Sequence, residues 1–344
     1  MKIIIDAMGG DNAPSEIVKG AIRAKNELGV SVVLVGKEDA VRSCLLEEGI
    51  TAADQDAGIE IVNAGEIITM DDDPSTATRR KKDSSMAVAL RLLAEGNGDA
   101  VVSAGSTGAL LTGATLTVKR IRGIRRAALA PVLPAGEHGV MLIDCGANVE
   151  CTAEYLLQFA YMGSFYAGKI MGCPNPRVGL LNVGTEDSKG GELQHRAFAL
   201  LKEASEAGRI NFIGNIEGTT VFSGDVDVVL SDGFTGNVLL KTTEGVIKFM
   251  MNTLKGVFYK NTVNKLAAAV LKKDLYEMKK SLDVNEIGGT ALIGISKPVI
   301  KAHGSSNAAS VFAAIRQAKN FVESGTIAAI TENIEYMKIK QDAE

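Results

Sequence analysis

The chain has 344 residues, of which 46% are hydrophobic and 23% are charged, and its formal net charge at pH 7 is −4. The length suits one large α/β domain or two smaller ones, and the negative charge argues against a nucleic-acid-binding protein. No apolar stretch approaches the ~18 residues that a membrane span needs, and the first apolar run is too short for a signal peptide, so we expect a cytoplasmic protein.

The first part of the chain alternates short apolar runs with helical patterns. Strands are predicted at 2–5, 32–35, 59–62 and 99–103. Helices are predicted at 14–28, 40–48, 85–95 and 106–118. Because the strands lack a polar side, they are typical of a mostly parallel sheet that helices cover on both faces.

The same alternation continues towards the C-terminus. Further strands are predicted at 180–183, 210–213, 226–230, 290–295 and 299–301, with two more joined by a turn between 131 and 143. Further helices are predicted at 155–171, 190–207 and from the 303–306 segment to 324, followed by a helical tail. Neither repeats nor a linker composition occur, so residues 1–344 are predicted to form a single α/β domain.

Residues 70–85 interrupt the alternation with three consecutive aspartates, a proline and a basic run, Arg79, Arg80, Lys81 and Lys82. One interpretation is a solvated loop whose charges offset each other. The other is a basic surface where an acidic partner or a phosphate enters. A second basic cluster follows the helix at 106–118, and its members are Lys119, Arg120, Arg122, Arg125 and Arg126.

Residues 244–283, which we call the basic arm, combine apolar positions at helical spacing with many lysines. One interpretation is a pair of core helices or a dimer arm with solvated lysines. The other is attachment to an anionic membrane surface or to an acidic protein. The candidate membrane contacts are Leu254, Val257, Phe258, Leu266, Val270 and Leu271.

Five strands are each followed by a glycine-rich turn and a helical pattern. These segments are 3–14, 100–111, 141–150, 180–189 and 227–241. In an open parallel sheet such turns gather at the carboxyl ends of the strands, where ligands bind. We therefore expect at least two of them to line one anion site; the alternative is that the glycines serve turn geometry alone.

The last of these segments has an Asp-Gly turn at 232–233 and then a helix that opens with Thr235, Gly236 and Asn237. The first N–H groups of a helix have no partners within it, and they attract anions such as phosphate. Lys241 lies about one turn further on and adds a full positive charge.

The sequence lacks the motifs of several common sites. Four cysteines without paired spacing and three histidines give no pattern of metal ligands, so we expect reduced thiols and no metal. There is no Walker A sequence, no G-x-G-x-x-G with a later acidic residue, and no G-x-S-x-G. We therefore expect no cofactor, and we favour binding of phosphate or a phosphorylated substrate, with catalysis by positioning and charge stabilisation.

Six motifs occur in order: DAMGGD at 6–11, SAGSTGA at 103–109, DCGAN at 144–148, NPRV at 175–178, DGFTGNVLLK at 232–241 and HGSS at 303–306. Together they resemble the bacterial phosphate acyltransferases of phospholipid synthesis. The resemblance implies a three-layer α/β/α fold with a mostly parallel sheet, similar to isocitrate and isopropylmalate dehydrogenases and to phosphotransacetylase. It also implies a homodimer and acyl transfer from acyl carrier protein to inorganic phosphate. The acyl phosphate would then pass to a membrane glycerol-3-phosphate acyltransferase.

Inorganic phosphate is a nucleophile at neutral pH, so this reaction requires no serine or cysteine intermediate. The catalytic candidates are Lys241 and Lys189, as counter-charges to phosphate, and His303, as a donor to the oxyanion or the leaving thiolate. A packed structural histidine beside a turn is the alternative for His303. Asn148 completes the catalytic candidates, although we expect it to orient loops rather than act as a base.

The glycine-rich loops are expected to hold phosphate and the acyl thioester. A carboxylate beside phosphate repels it unless it is paired, so the aspartates, Asp144 among them, are expected to orient loops and lysines. The candidate substrate-binding residues are Asp6, Gly9, Gly10, Asp11, Ser103, Gly105, Ser106, Thr107, Gly108, Asp232, Gly233, Phe234, Thr235, Gly236, Asn237, Gly304 and Ser305. Carrier proteins are acidic, so residues 79–82 and 120–126 are candidate docking surfaces. The basic arm would cover the acyl chain or touch the bilayer, which gives peripheral membrane association.

Two other functions stay open at this point. A dehydrogenase of the isocitrate/isopropylmalate type would share the implied fold, but it needs a nicotinamide pocket and acidic metal ligands that we cannot assemble from the sequence. A non-enzymatic, membrane-associated scaffold would use the basic arm and keep the glycine-rich loops as turns only.

Overall fold

The structure is a computed structural model that describes residues 1–51, 58–281 and 288–338. The predicted end of the basic arm at residue 283 and the end of the tail, 339–344, lie outside the described residues.

Twelve strands in the described residues form two sheets. The strands of the first sheet are β1 Lys2–Asp6, β2 Ser31–Gly36, β3 Ile59–Asn63, β4 Ala100–Ser103, β5 Ala128–Ala130, β11 Thr290–Ile293 and β12 Val299–Lys301. The strands of the second are β6 Val132–Leu133, β7 Val140–Ile143, β8 Arg177–Leu181, β9 Asn211–Ile216 and β10 Val228–Leu230.

Both sheets are mostly parallel. The first has the order β3-β2-β1-β4-β12-β11-β5, in which β11 runs antiparallel to β12 and to β5. In the second, with the order β6-β7-β10-β8-β9, only the β6–β7 pair is antiparallel. The predicted α/β fold with a mostly parallel sheet is therefore confirmed. The separation of the strands into two sheets was not predicted.

The two sheets meet at Pro131, which lies between β5 and β6. The Leu142 N–H donates to the Pro131 carbonyl at 3.0 Å, and the Cys145 N–H donates to the Leu129 carbonyl at 3.0 Å. These bonds link the end of β7 to β5, so the carboxyl end of a second-sheet strand lies beside the first sheet.

The helices surround the sheets. Those described are α1 Ser15–Leu28, α2 Glu38–Glu47, α3 Ala77–Arg80, α4 Ser85–Glu95, α5 Thr107–Gly113, α6 Ala153–Tyr166, α7 Glu192–Glu206, α8 Gly233–Tyr259, α9 Thr262–Val270, α10 Lys272–Ser281, α11 Ala308–Glu323 and α12 Thr326–Glu332. Two of them, α5 and α6, continue as single π-helical turns, Ala114–Val118 and Ala167–Met171. Short 3₁₀ turns span Thr220–Phe222 and Ile334–Met337.

Alternate side chains of β1 enter different cores, which explains its uninterrupted apolar sequence. Ile3 and Ile5 pack in the cluster that contains Val18 of α1, whereas Ile4 packs in the cluster that contains Leu90 of α4. Helices therefore cover both faces of the first sheet, as expected for a buried parallel sheet. In the second sheet, Leu142 and Val229 share a third cluster with Leu239 and Leu240 of α8.

The observed ends of most elements lie within a few residues of the predicted ends, but two strands differ. The strand predicted at 180–183 begins at Arg177, because the buried side chains are Val178 and Leu180 while Val183 is exposed. β5 was not predicted. It has only three residues, and its identity as a strand depends on pairing with β11.

The basic arm is helical in its described part, and no residue of α9 is buried. Helix α8 runs without a break from the second sheet into the arm, and α9 packs back against it. Within the described residues no helix is both long and apolar enough to cross a membrane.

Candidate active site

The loops after β1, β4 and β12 meet because these strands are neighbours in the first sheet. The Asp11 N–H donates to the Gly304 carbonyl at 2.8 Å. The Asn12 side-chain amide donates to the Ser305 and Ser306 carbonyls at 3.2 and 3.1 Å. The DAMGGD and HGSS motifs, almost 300 residues apart in sequence, are thus held together by direct hydrogen bonds.

Glycine is required where the DAMGGD and SAGSTGA loops touch. A Cβ atom on Gly9 would lie 2.5 Å from Asp6 Oδ2 and 2.7 Å from the Gly105 nitrogen. Gly10 has a φ of +100° and also faces the Gly304 carbonyl, 2.9 Å from the position of a Cβ atom. The close approach of the loops therefore explains these two glycines.

Asp6 is buried and organises the loops around it. Its Oδ2 accepts a hydrogen bond from Ser103 Oγ at 2.6 Å, and Ser103 Oγ in turn accepts from the Gly105 N–H at 3.1 Å. Burial raises the pKa of Asp6, and hydrogen bonds from Ser103, Ser85 and nearby N–H groups partly oppose this rise. Through Ser103, Asp6 thus orients the loop after β4.

A second group of loops follows β7 and β10, and Asp144 is its centre. The Asp144 carboxylate accepts hydrogen bonds from the N–H groups of Leu129, Cys145, Ala147 and Asn148. Burial nevertheless raises the pKa of Asp144, an effect that these hydrogen bonds oppose. Asn148 Nδ2 donates to the Ala127 carbonyl at 2.9 Å and to Asp144 Oδ2 at 3.0 Å. In the structure, therefore, Asn148 braces the loop.

Helix α8 begins directly against this loop. Asp232 caps the helix by accepting from the Thr235 N–H at 2.8 Å, and it also accepts from Thr235 Oγ1 at 2.7 Å. The Gly233 N–H donates to the Asn148 carbonyl at 2.7 Å. A Cβ atom on Gly236 would lie only 2.0 Å from the Asp144 carbonyl oxygen, so the helix backbone rests on the loop backbone.

A cleft of about 150 Å³ lies between the two groups of loops. From the first sheet it is lined by Thr107, Lys301 and His303, and from the second by Cys145, Asn237 and Lys241. The structure thus brings together candidates from three predicted motifs, which are SAGSTGA, DGFTGNVLLK and HGSS.

His303 has a defined ring orientation at this cleft. Its Nδ1 accepts from the Ser305 N–H at 3.2 Å and lies 2.8 Å from Ser305 Oγ. A backbone N–H can only donate, so a neutral His303 ring carries its proton on Nε2. The ring can therefore offer an N–H donor to a ligand.

Lys241 is paired within the cleft. Its Nζ lies 2.8 Å from a carboxylate oxygen of Glu244, which also lines the cleft. An anion that binds Lys241 would compete with Glu244 for the ammonium group.

The thiol in the cleft is not activated. Burial, and to a smaller degree the charge of Asp144, raises the pKa of Cys145 to about 12. Only the thiolate is an effective nucleophile, so Cys145 is poorly suited to form an acyl-enzyme.

Lys301 lines the cleft but was missed by the sequence analysis. It is the last residue of β12 and is only 8% exposed. Its ammonium donates to the Ala104 carbonyl at 3.2 Å and to the Ala302 carbonyl. The sequence signal was a lysine that ends an apolar strand two residues before His303.

Three candidates that do not line this cleft are Thr235, Lys189 and Phe234. Thr235 lines a second groove of about 570 Å³ on the other side of α8, together with Asn182, Val183 and Val238. Lys189 is exposed on the loop that borders this groove, where its carbonyl accepts from Asn182 Nδ2 at 3.0 Å. Phe234 is 63% exposed on the surface at the start of α8.

The first basic run begins in α3, which packs against α5, and nearby Pro74 occupies the space beside Gly108. Arg79, Arg80 and Lys82 are exposed. Lys81 instead turns inward, where its Nζ lies 2.6 Å from Asp72. Three residues of the run are therefore accessible to a partner.

The second basic cluster surrounds a separate, open cavity of about 770 Å³. Here Arg125 pairs with Glu154 at 3.1 Å, and the Arg126 guanidinium lies 5.7 Å from the centre of the Tyr155 ring.

The predicted membrane contacts in the basic arm are accessible to different degrees. Leu254 and Phe258 are half-buried. The exposed members are Val257, Leu266, Val270 and Leu271.

In the described part of the chain, no group of three or more His, Cys, Asp or Glu residues is arranged to hold a metal ion.

Comparison with known proteins gives one consistent result. The family model described as "Fatty acid synthesis protein" matches residues 1–329. A phosphate acyltransferase of Geobacillus sp. (strain WCH70) is 47% identical over 337 residues, which cover 97% of this chain and 99% of the relative. A phosphate acyltransferase of Oceanobacillus iheyensis is 46% identical over 336 residues, with 97% and 98% covered.

Solved structures of lower identity share the fold. A phosphotransacetylase from Streptococcus pyogenes superposes with a TM-score of 0.63 at 18% identity, covering 95% of this chain and 94% of that one. The EutD phosphotransacetylase from Staphylococcus aureus gives a TM-score of 0.60 at 18% identity, with 96% and 94% covered. The predicted similarity to the phosphotransacetylase fold is confirmed.

Proposed function

Because the chain belongs to the phosphate acyltransferase family, we propose that it transfers a fatty acyl group from acyl carrier protein to inorganic phosphate. A phosphate oxygen attacks the thioester carbonyl, the new C–O bond forms, and the C–S bond breaks. The products are acyl phosphate and the free carrier thiol. Family membership favours this acyltransferase over the dehydrogenase and scaffold hypotheses.

The observation that carries the proposal is a cleft with cationic and hydrogen-bond-donating walls and an unreactive thiol. Lys241, Asn237 and His303 converge on the cleft from both sheets, while the raised pKa of Cys145 disfavours a covalent acyl-enzyme. These features support direct transfer between two bound substrates, in which charge stabilisation and positioning lower the barrier.

We assign the candidate residues to roles according to their placement. In this proposal, Thr107 of the 105–108 turn and the Asn237–Lys241 side of α8 flank the phosphate. His303 donates from Nε2 to the developing oxyanion or to the leaving thiolate. Lys189 stays a candidate counter-charge, although it lies beside the second groove rather than the cleft.

The carrier protein would dock at the exposed members of the 79–82 run. This run begins in α3, which packs against α5, and Thr107 at the start of α5 lines the cleft; carrier proteins are acidic. In this proposal Arg80→Glu raises KM for the acyl carrier protein and leaves KM for phosphate unchanged. A parallel rise of both constants would argue against docking at this surface.

The experiment that tests the function measures acyl carrier protein thioester consumption with and without inorganic phosphate, and traps acyl phosphate with hydroxylamine. We expect hydroxamate only when phosphate is present, and a large loss of it in Lys241→Ala and His303→Ala. The matched controls are Lys248→Ala, further along α8, and His138→Ala, on a remote exposed loop. No hydroxamate from wild-type protein with a competent carrier would overturn the proposal.

We also propose that the basic arm contacts an anionic membrane surface. In support, Val263, Leu266 and Val270 are 74%, 66% and 83% exposed, and lysines alternate with them. Such a surface combines apolar insertion with attraction to anionic lipid. It would place a cytoplasmic enzyme at the membrane, near a membrane glycerol-3-phosphate acyltransferase that accepts the acyl phosphate.

A homodimer is the second proposal for the same exposed side chains. The two are separated by sedimentation of the free protein and by flotation with vesicles of anionic or neutral lipid. Val270→Glu should abolish flotation with anionic vesicles if the arm binds membrane. Equal flotation of the variant and the wild type would exclude this contact, and a monomeric mass would exclude the dimer.

A further inference from the structure

Three polar residues lie in one row across the centre of the first sheet. In the strand register Asp6 of β1 is the partner of Ser103 in β4, and Ser103 is the partner of Lys301 in β12. Registered residues of parallel strands point to the same face of a sheet. The row therefore places Lys301 on the side of the sheet where Ser103 holds Asp6.

Lys301 is an unusual residue at this position. Burial of an ammonium group is costly unless partners replace the lost water. Lys301 has three N–H donors, and in the described parts of the chain two carbonyl oxygens, those of Ala104 and Ala302, accept from them. One donor is left for the cleft that Lys301 lines.

We propose that Lys301 binds the phosphate directly and holds it beside the thioester carbonyl. This inference rests on the proposed phosphate transfer and adds the residue that fixes the nucleophile. Lys241 shares its charge with Glu244 at 2.8 Å, whereas Lys301 forms no ion pair among the described residues. The charge of Lys301 is therefore available to a dianion.

The charges around Lys301 agree with this role. Asp6 faces it from β1 and Asp11 from the following loop, while Lys241 and Glu244 approach from α8 and His303 from the loop after β12. Burial lowers the pKa of Lys301 to about 8, with Asp6 and Asp11 opposing this change and Lys241 adding to it. The Lys301 ammonium therefore loses its proton near pH 8, and a bound phosphate would keep the group protonated.

The first test compares Lys301, the last residue of β12, with Lys297, which lies two residues before that strand begins. Lys301→Met removes the charge with little change of shape, and we expect kcat/KM for phosphate to fall about a hundredfold, as when an oxyanion donor is lost. KM for the acyl carrier protein should change little. The control is Lys297→Met, because Lys297 is also partly buried and donates to a carbonyl, that of Leu93, at 2.6 Å. This control should retain wild-type kinetics.

A second measurement uses the wild-type protein and does not depend on a variant that folds. If the Lys301 ammonium binds phosphate, KM for phosphate should rise about tenfold per pH unit above pH 8, because only the protonated fraction is competent. Lys301→Arg keeps its charge, so any activity that it retains should lack this alkaline rise.

Three outcomes distinguish the inference from the proposed function. Absence of phosphate-dependent hydroxamate in the wild type removes the function itself. A folded Lys301→Met protein with wild-type KM for phosphate overturns the role of Lys301 alone. The role of Lys301 is also overturned if KM for phosphate in the wild type does not change between pH 7 and pH 9.

Discussion

Gly236→Ala tests whether the contact between α8 and the Asp144 loop sets the geometry of the cleft. The new Cβ would lie 2.0 Å from the Asp144 carbonyl oxygen and 2.6 Å from Ser231 Oγ. Carbon and oxygen atoms in contact are about 3.3 Å apart, so the helix or the loop must move by more than about 1 Å. The loop resists this movement, because Asp144 accepts several backbone hydrogen bonds and Ser231 Oγ donates to its carbonyl at 3.0 Å.

Overpacking of this kind costs about 3 kcal/mol at the upper end of the usual range. A displacement of about 1 Å at Asn237 and Lys241 should also lower kcat about a hundredfold. The assays are thermal unfolding and phosphate-dependent hydroxamate formation. Gly245→Ala is the control, since it lies on the same helix with no atom within 4 Å of its Cβ position, and we expect it to be neutral or stabilising. Wild-type stability and activity in Gly236→Ala would refute the reasoning.

Two further predictions concern a thiol and an ion pair. Cys145→Ser should keep its activity within about threefold, because a pKa of about 12 leaves almost no thiolate near neutral pH; an acyl adduct on Cys145 in mass spectra of the wild type would contradict this. The pKa of Asp227 is lowered overall. Burial alone would raise it, but hydrogen bonds from the guanidinium and the backbone N–H of Arg177, at 2.7–2.9 Å, outweigh that effect. The resulting stability is present above the unfolded pKa of about 3.9 and is lost as the pH falls through the lower folded pKa. Asp227→Asn should thus lower the free energy of unfolding, measured with urea, by about 2 kcal/mol at pH 7 and by very little in strong acid. The control Glu27→Gln removes one partner of an exposed ion pair and should lower it far less. A pH-independent loss would show that packing rather than charge is responsible.

Local patterns predicted the central elements because each strand is a short apolar run with helices on both sides. The strand at 299–301 and the helix capped by Ser84 agree with the structure for this reason. The two-sheet arrangement depends instead on contacts such as the Leu142–Pro131 hydrogen bond, which no local pattern specifies. For the same reason β5 was missed.

The cleft was predicted in part. The sequence identified the loops but treated 235–237 as one phosphate cradle, whereas Thr235 lines the second groove and Asn237 the cleft. Helical periodicity could have separated them, because residues two apart point about 200° away from each other. Lys301 was missed because its role depends on the register of β12 with β4, which brings it beside Ser103.

Helix α8 has a mechanical consequence. It begins against the Asp144 loop, carries Asn237 into the cleft, and ends at Tyr259 in the basic arm without a break over 27 residues. At 1.5 Å per residue this is a rod about 40 Å long. In the proposed membrane contact, this helix would hold the bilayer at a fixed distance and rotation from the bound substrate. The length of one helix would then set how far an acyl phosphate must travel after release.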